Sequence, residues 1–340
     1  MKWLRFLLFP FGILYWLITS IRNYLYNHVL YKSYQAPIPV IAVGNLSVGG
    51  TGKSPQTEYL IRLLSGKYKV AVLSRGYKRK TEGFVLADEN TRVEDLGDEP
   101  FQFFSKFHHI QVAVDADRTN GIKQLLQSGN PPEVILLDDA YQHRKVKATT
   151  YILLTAYGDL YCDDYILPVG NLRESGSGAD RAAIIIVTKC PENITETEIQ
   201  KIKNKLQPKP FQKIFFTTIS YDEYVYNQTE KIRLADIPSE QIFAVSGIAN
   251  PDLFYAHLAV SDRLTFPDHH HFSPKDIDRI TEKSNGKIII TTEKDYMRLK
   301  GKLPQDKLYY LPIKTDFIKE KEIFDQAVIS VCNAELNQIS

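Results

Sequence analysis

Short, wholly apolar runs separated by helix-like polar stretches dominate the chain after Pro37 and Pro39. Residues 40–43, 70–73, 110–114, 134–137 and 151–154 read as buried strands, and residues 57–64 as a helix with Tyr59, Leu60, Leu63 and Leu64 on its apolar face. Strands apolar on both faces, alternating with helices, predict an α/β fold whose mainly parallel sheet is flanked by helices. At VGNLRESGSG, residues 169–178, the pattern gives way to loop. Strands then resume at 182–187, 213–219, 242–245, 287–291 and 308–311, with helices at 194–206, 251–258, 274–283 and 316–332, and predict a second, smaller α/β lobe. The expected division is 1–35, 36–175 and 176–340.

The first segment follows another pattern. Residues 3–21, WLRFLLFPFGILYWLITSI, are almost entirely apolar, and Pro10 and Gly12 favour a helix that starts near Pro10 and runs past Tyr26. Tyr15, Trp16, Tyr24 and Tyr26 suit a boundary between lipid and water, and Lys2, Arg5 and Arg22 suit anionic headgroups. The first acidic residue is Glu58. A cleaved export signal lacks its small-residue cleavage site. A spanning helix, an interfacial anchor and a helix packed on the protein itself stay open. The expectation adopted is a helix associated with a membrane surface, by a monotopic or single N-terminal anchor.

Composition narrows the classes. The 340 residues are 44% hydrophobic and 24% charged with net charge +2, which suits a folded protein and gives no electrostatic case for nucleic acid. Cys162, Cys190 and Cys332 form no CxxC pair, so neither a disulfide framework nor a zinc site is expected.

The chemistry begins after the first buried strand, with Ser47, Val48, Gly49, Gly50, Thr51, Gly52, Lys53 and Ser54 leading into a helix. Glycines let main-chain amides turn inward around an anion, and the helix start adds its positive dipole end. Lys53 would reach the β- and γ-phosphates and Ser54 would offer its hydroxyl to Mg²⁺. Ser47 stands where the strict P-loop pattern has glycine. The candidate for a guanine-reading NKxD, Thr188-Lys189-Cys190-Pro191, lacks the Asn and the Asp, which favours ATP over GTP. A bound nucleotide also argues against export of this domain.

Residues 134–137 run straight into Asp138 and Asp139, and the end of a buried strand is where a P-loop protein places its Mg²⁺-holding acid. Either aspartate fits that part, and Gln142 and His143 follow closely enough to face the same site. Asp98, in LGDEPF, reads as a helix N-cap with Pro100 in the first turn. It also suits a proton acceptor for an attacking hydroxyl, if an imidazole orients it. His269 opens the HHH of FPDHHHF, whose spacing is wrong for zinc, and nothing in the sequence alone brings it to Asp98. The loop Arg75-Gly76-Tyr77-Lys78-Arg79-Lys80 is either a solvated turn or a phosphate contact. Arg118, Arg173 and Glu174 lie at element ends and qualify as site residues. A membrane-associated P-loop ATPase or GTPase acting on a protein partner fits the same motifs.

From residue 43 to residue 295 the segments VGNLSVGGTGKSP, LSRGY, GDEP, DADR, LLDDAYQHR, LPVGNLRE, SGIANP, FPDHH and TTEKD occur in order. In these the chain resembles the tetraacyldisaccharide 4'-kinases, the lipid A kinases of Gram-negative bacteria. The resemblance implies a P-loop NTPase-like fold with a second lobe. It implies Mg²⁺-dependent transfer of the ATP γ-phosphate to the 4'-hydroxyl of a lipid-linked glucosamine disaccharide 1-phosphate, giving lipid IVA. It makes Asp98 the base and His269 its partner, and gives Lys53, Ser54, Asp138, Asp139 and Glu174 to phosphates and metal. It also implies docking on the cytoplasmic face of the bacterial inner membrane. Ser54 stands where the family often has Thr, and Ala140 where Gly is common.

Overall fold

A computed structural model describes residues 5–248, 251–268 and 270–337, so the readings at Lys2, at His269 and at part of SGIANP lie outside the described residues. After a short turn at Phe6–Leu8, helix α1 (Phe9–Asn27) takes Pro10 into its first turn, where a missing N–H is harmless. Leu7, Phe11, Leu14 and Ile18 are each more than half exposed. The opposite side is tied down along its length. Arg5 Nη1 donates to Asn171 Oδ1 at 3.1 Å, Tyr15 Oη to the Arg173 carbonyl at 3.0 Å, and Asn23 Nδ2 to Glu174 Oε2 at 2.5 Å. A Cβ on Gly12 would stand 2.9 Å from Val169 Cγ2, so glycine permits the approach. Among the described residues, 6–27 is the one helical stretch long and apolar enough to cross a membrane.

The chain next forms β1 (Val40–Asn45), α2 (Lys53–Leu64), β2 (Val70–Ser74), β3 (Val85–Leu86), α3 (Val93–Leu96), α4 (Asp98–Lys106), β4 (Gln111–Val114) and α5 (Arg118–Leu126). It continues through β5 (Val134–Asp138), β6 (Thr150–Ala156), β7 (Ile184–Thr188), α6 (Glu196–Leu206) and β8 (Lys213–Tyr221). A second set follows: β9 (Tyr224–Tyr226), β10 (Lys231–Arg233), β11 (Ile242–Ser246), α7 (Asp252–Leu258), β12 (Arg263–Thr265), α8 (Pro274–Ser284), β13 (Ile288–Thr292), α9 (Glu293–Leu299) and β14 (Leu308–Leu311). The chain closes with β15 (Ile313–Phe317) and α10 (Lys321–Leu336).

The first sheet has the order β15-β8-β7-β6-β1-β5-β2-β4-β3 and the second β10-β9-β14-β13-β11-β12. The pairs from β8 through β4 are parallel, and the short β3 runs antiparallel to β4. Alternate residues of β1 feed two cores. Ile41 and Val43 pack with Leu60, Leu64 and Phe324, while Val40 and Ala42 pack with Leu73, Ile122 and Leu125. Each fully buried aliphatic side chain contributes about 1.5–3 kcal/mol. This is the parallel sheet covered on both faces that the apolar runs predict.

Two compact units result, residues 1–219 with 315–340, and residues 220–314. The expected break at 175/176 therefore falls inside the first unit. The reason is strand pairing: β7 and β8 add in parallel to β6, so the sheet continues past the loop-rich stretch. Helix α10 also returns to the first unit, where Phe324 and Val328 join its core. The helix expected over 316–332 is preceded by a strand instead. Residues 313–317 alternate in the strand period and β15 lies beside β8, and the left-handed Glu320 (φ 60°) precedes α10.

Candidate active site

Strand β1 delivers the glycine-rich loop from a fully buried end. Asn45 Nδ2 donates to Thr51 Oγ1 at 2.8 Å, and Asn45 Oδ1 accepts from Lys53 Nζ at 3.5 Å. Gly49 (φ 128°) and Gly52 (φ 81°) take conformations that side chains resist. Gly52 caps α2 without any side-chain cap, and no acid occupies the first turn. The first amides of α2 are thereby left to an anion. Ser47 bridges to Leu172, and the Val48 amide donates to the Asn171 carbonyl at 2.8 Å, so the loop is zipped to the segment that α1 holds from outside. Val48 exposes its side chain and serves through its main chain.

The acids arrive next to this loop because β5 is the parallel neighbour of β1, with Asp138 opposite Val43. Asp139 takes a left-handed turn (φ 46°) that aims its carboxylate at Lys53 Nζ, 3.6 Å away, and at Arg173 Nη1, 3.1 Å away. Asp138 is buried and accepts from Thr57 Oγ1 and Ser74 Oγ, each at 3.2 Å. Burial, then the charges of Glu99 and Asp139, push its carboxyl up to about 7. Glu99 itself accepts from Ser54 Oγ at 3.2 Å. Ser54 and Thr57 stand one turn apart on one face of α2, so the hydroxyl, Glu99 and Asp138 form a set of hard oxygen donors.

That set suits Mg²⁺. Among the described residues no three acids or imidazoles meet closely enough to cage a metal alone. Mg²⁺ is held in the same way in many phosphotransferases, by one or two carboxylates together with substrate phosphates and water. A carboxyl raised first by burial and then by neighbouring carboxylates is the electrostatic gap a divalent cation fills. Sequence reasoning missed Glu99, although it is the residue after Asp98 in GDEP. It also missed Asn45 and Thr57, each within the segment that leads into or out of the loop.

Glu174 differs from its expectation. It is fully buried, and Arg181 holds both its oxygens, at 2.8 and 3.1 Å, with Gln142 Nε2 at 3.1 Å and Asn23 at 2.5 Å. Burial alone would raise its carboxyl, but the Arg181 bridge and these hydrogen bonds hold it below the ordinary range. With both oxygens engaged it braces the site rather than offering a ligand. Gln142 carries the brace inward by also donating to the Asn45 carbonyl at 2.9 Å.

The remaining first-unit residues come from the ends of β2 and β4, which continue the row β1, β5, β2, β4. Arg75 and Tyr77 are exposed on the loop after β2. That loop packs on the turn before α4, where a Cβ on Gly97 (φ 88°) would lie 2.7 Å from the Tyr77 carbonyl. Asp98 is exposed in the first turn of α4, with Gly97 rather than Asp98 at the capping position. Arg118 is buried after β4, and its Nη1 donates to the Asp115 carbonyl at 2.7 Å. Burial lowers its guanidinium to about 10 against the opposing pull of Asp138. Burial and then Arg118 lower the His143 imidazole to about 4, so it is neutral near pH 7.

In the second unit Asp295 accepts from the Gly247 amide at 2.7 Å and Thr292 Oγ1 at 2.8 Å, which ties the start of SGIANP to TTEKD. His270 Nε2 bonds Asp276 Oδ2 at 3.0 Å and its ring stacks on Phe266. His270 therefore has a local holding part.

Known proteins are similar to this chain over nearly its whole length. The family described as tetraacyldisaccharide-1-P 4'-kinase matches residues 4–333. Tetraacyldisaccharide 4'-kinase of Flavobacterium johnsoniae is 60% identical over 338 residues, covering 99% of each chain. That of Flavobacterium psychrophilum is 57% identical over 334 residues, covering 97% of each. The crystal structure of Aquifex aeolicus LpxK in complex with ATP is similar with a TM-score of 0.77 and 30% identity, over 97% of this chain and 99% of that one. With the phosphate loop, the strand-end acids and both units inside one continuous match, the chain belongs to the tetraacyldisaccharide 4'-kinase family.

Proposed function

We infer that this protein transfers the γ-phosphate of ATP to the 4'-hydroxyl of tetraacyldisaccharide 1-phosphate, forming lipid IVA in lipid A biosynthesis. The observation that carries the reading is the match of residues 4–333 to that kinase family. The amide-lined loop grips the triphosphate, and Lys53 lies against its β- and γ-oxygens. Ser54, Asp138 and Glu99 are the groups that hold Mg²⁺, with Asp139 beside them on Lys53 and Arg173. The chemistry Mg²⁺ would supply there, held by those residues, is neutralisation of negative charge on the phosphates. Arg75, Tyr77, Arg118, Gln142 and His143 are proposed contacts for the acceptor's phosphate and sugar.

The 4'-oxygen forms a bond to the γ-phosphorus as the bond from that phosphorus to the ADP oxygen breaks. In this reading the hydroxyl proton passes to the Asp98 carboxylate, and the partner role of His269 rests on the family resemblance alone. Asp98→Asn is expected to lower kcat at least about a hundredfold while the KM for ATP stays within about threefold. Steady-state kinetics at saturating lipid read this, and an unchanged kcat removes Asp98 from the base role.

The membrane reading rests on α1. Contacts at Arg5, Gly12, Tyr15 and Asn23 hold one side of it against the first unit from end to end. A helix fastened that way offers only its other, apolar side to lipid, which favours an interfacial anchor on the cytoplasmic face over a spanning helix. Leu14→Asp with Ile18→Asp should cut sedimentation with anionic vesicles at least about tenfold. Full retention on vesicles by that variant would remove α1 as the anchor.

The activity itself is tested by incubating the protein with γ-labelled ATP and tetraacyldisaccharide 1-phosphate and separating the lipids. Label in a bisphosphorylated lipid supports the reading. Release of labelled inorganic phosphate that does not depend on the lipid supports an ATPase instead.

A further inference from the structure

The turn Thr188-Lys189-Cys190-Pro191 enters the sequence argument only as a failed guanine reader, yet the fold gives it a place beside the phosphate loop. In the order β7-β6-β1-β5, β7 stands two strands from the loop on the side away from the acids. All four strands are parallel, so the turn after β7 emerges on the same edge as the loop after β1. Thr188 Oγ1 is buried and donates to the Thr51 carbonyl at 2.8 Å. A Cβ on Gly52 would lie 3.8 Å from Thr188 Cβ. The turn is fixed from both flanks, where the Tyr157 amide donates to the Thr188 carbonyl at 2.8 Å and the Cys190 amide to the Thr217 carbonyl at 2.9 Å. Lys189 itself has left-handed backbone (φ 59°), and its Nζ comes within 3.9 Å of where a Cβ on Gly50 would sit.

Direction along the nucleotide follows. The γ-phosphate end belongs with Lys53, Ser54 and the acids on the β5 side. The α-phosphate and the nucleoside then leave toward β6 and β7, at the carboxyl ends of the strands, where open parallel sheets bind ligands. We propose that Lys189 forms the nucleoside wall of the site. Its hydrocarbon stem supports the face of the base, and its ammonium anchors that stem at the rim of the phosphate loop. Pro191 offers no carboxylate to read guanine, so the base is held by stacking. The inference rests on the ATP-site reading above.

The test compares a ligand with a nucleoside and one without. MgADP and magnesium tripolyphosphate are titrated calorimetrically into the full chain in detergent, as wild type and as Lys189→Ala. Lys189→Ala should weaken MgADP about tenfold and tripolyphosphate by less than about twofold. Equal weakening of both ligands, or of neither, overturns the proposal, because a purely structural role in the loop moves both together. Wild type that binds neither ligand overturns the ATP-site reading beneath it. If Lys189→Ala melts early, Lys189→Met keeps the stem and removes only the anchor. It should then weaken MgADP about threefold with tripolyphosphate unchanged, and a parallel change again overturns the proposal.

Discussion

Lys53→Ala should give a folded protein whose phosphoryl transfer is slower by about a thousandfold. The ammonium sits 3.5 Å from Asn45 Oδ1 and 3.6 Å from Asp139 Oδ1, at the mouth of the amide-lined loop. Its charge faces the position where negative charge grows on the β–γ bridge as the bond breaks. Neither neighbour can replace it, since neither carries a positive charge. The fold depends little on it, because the core beneath is built from Ile41, Val43, Leu60 and Leu64. An unchanged melting temperature with lost turnover is the expected pair of results. Turnover near wild type would remove Lys53 from the phosphates.

Asp138→Asn should abolish activity about as completely while leaving the metal-free protein as stable as wild type, or more so. The amide keeps the shape and can still bond Thr57 and Ser74, whose hydroxyls donate or accept. It discards a charge that burial, Glu99 and Asp139 all oppose. The sign is set by linkage. A carboxyl raised in the fold means the native state binds more protons than the unfolded chain across the interval up to about 7. This group's stabilising contribution is therefore full below the ordinary carboxylate range and is lost as pH rises through about 7. Thermal melts of metal-free wild type from pH 5 to pH 8 should show that loss, and Asp138→Asn should lack its share of it. A variant that melts well below wild type at pH 8 would mean the buried carboxylate is a structural group rather than one poised for a cation.

Much of this site was legible because it is local. Gly49 to Ser54 are consecutive, and the run from Val134 to Asp139 announces a strand and the acids at its end without any long-range information. The neighbours of those residues were harder to see. Glu99 reaches Ser54 only because α4 begins beside the loop after β2, and nothing in GDEP distinguishes its two acids. Glu174 read as an open ligand because its partners Asn23, Gln142 and Arg181 come from three separate segments. Residues 313–317 are too short a run to separate from the helix that follows, and their strand character comes from the neighbouring β8. The break between units was placed too early for a related reason. A change in composition marks a loop, whereas strand pairing decides where a sheet stops.

The most direct measurement is calorimetric titration of ADP into wild type and Asp138→Asn, each with Mg²⁺ and with chelator. The expected result is that Mg²⁺ tightens nucleotide binding to wild type by at least about tenfold and that Asp138→Asn loses this gain. No uptake of nucleotide by wild type, or an undiminished Mg²⁺ effect in Asp138→Asn, would contradict a phosphate loop that shares its metal with the acid at the end of the next strand.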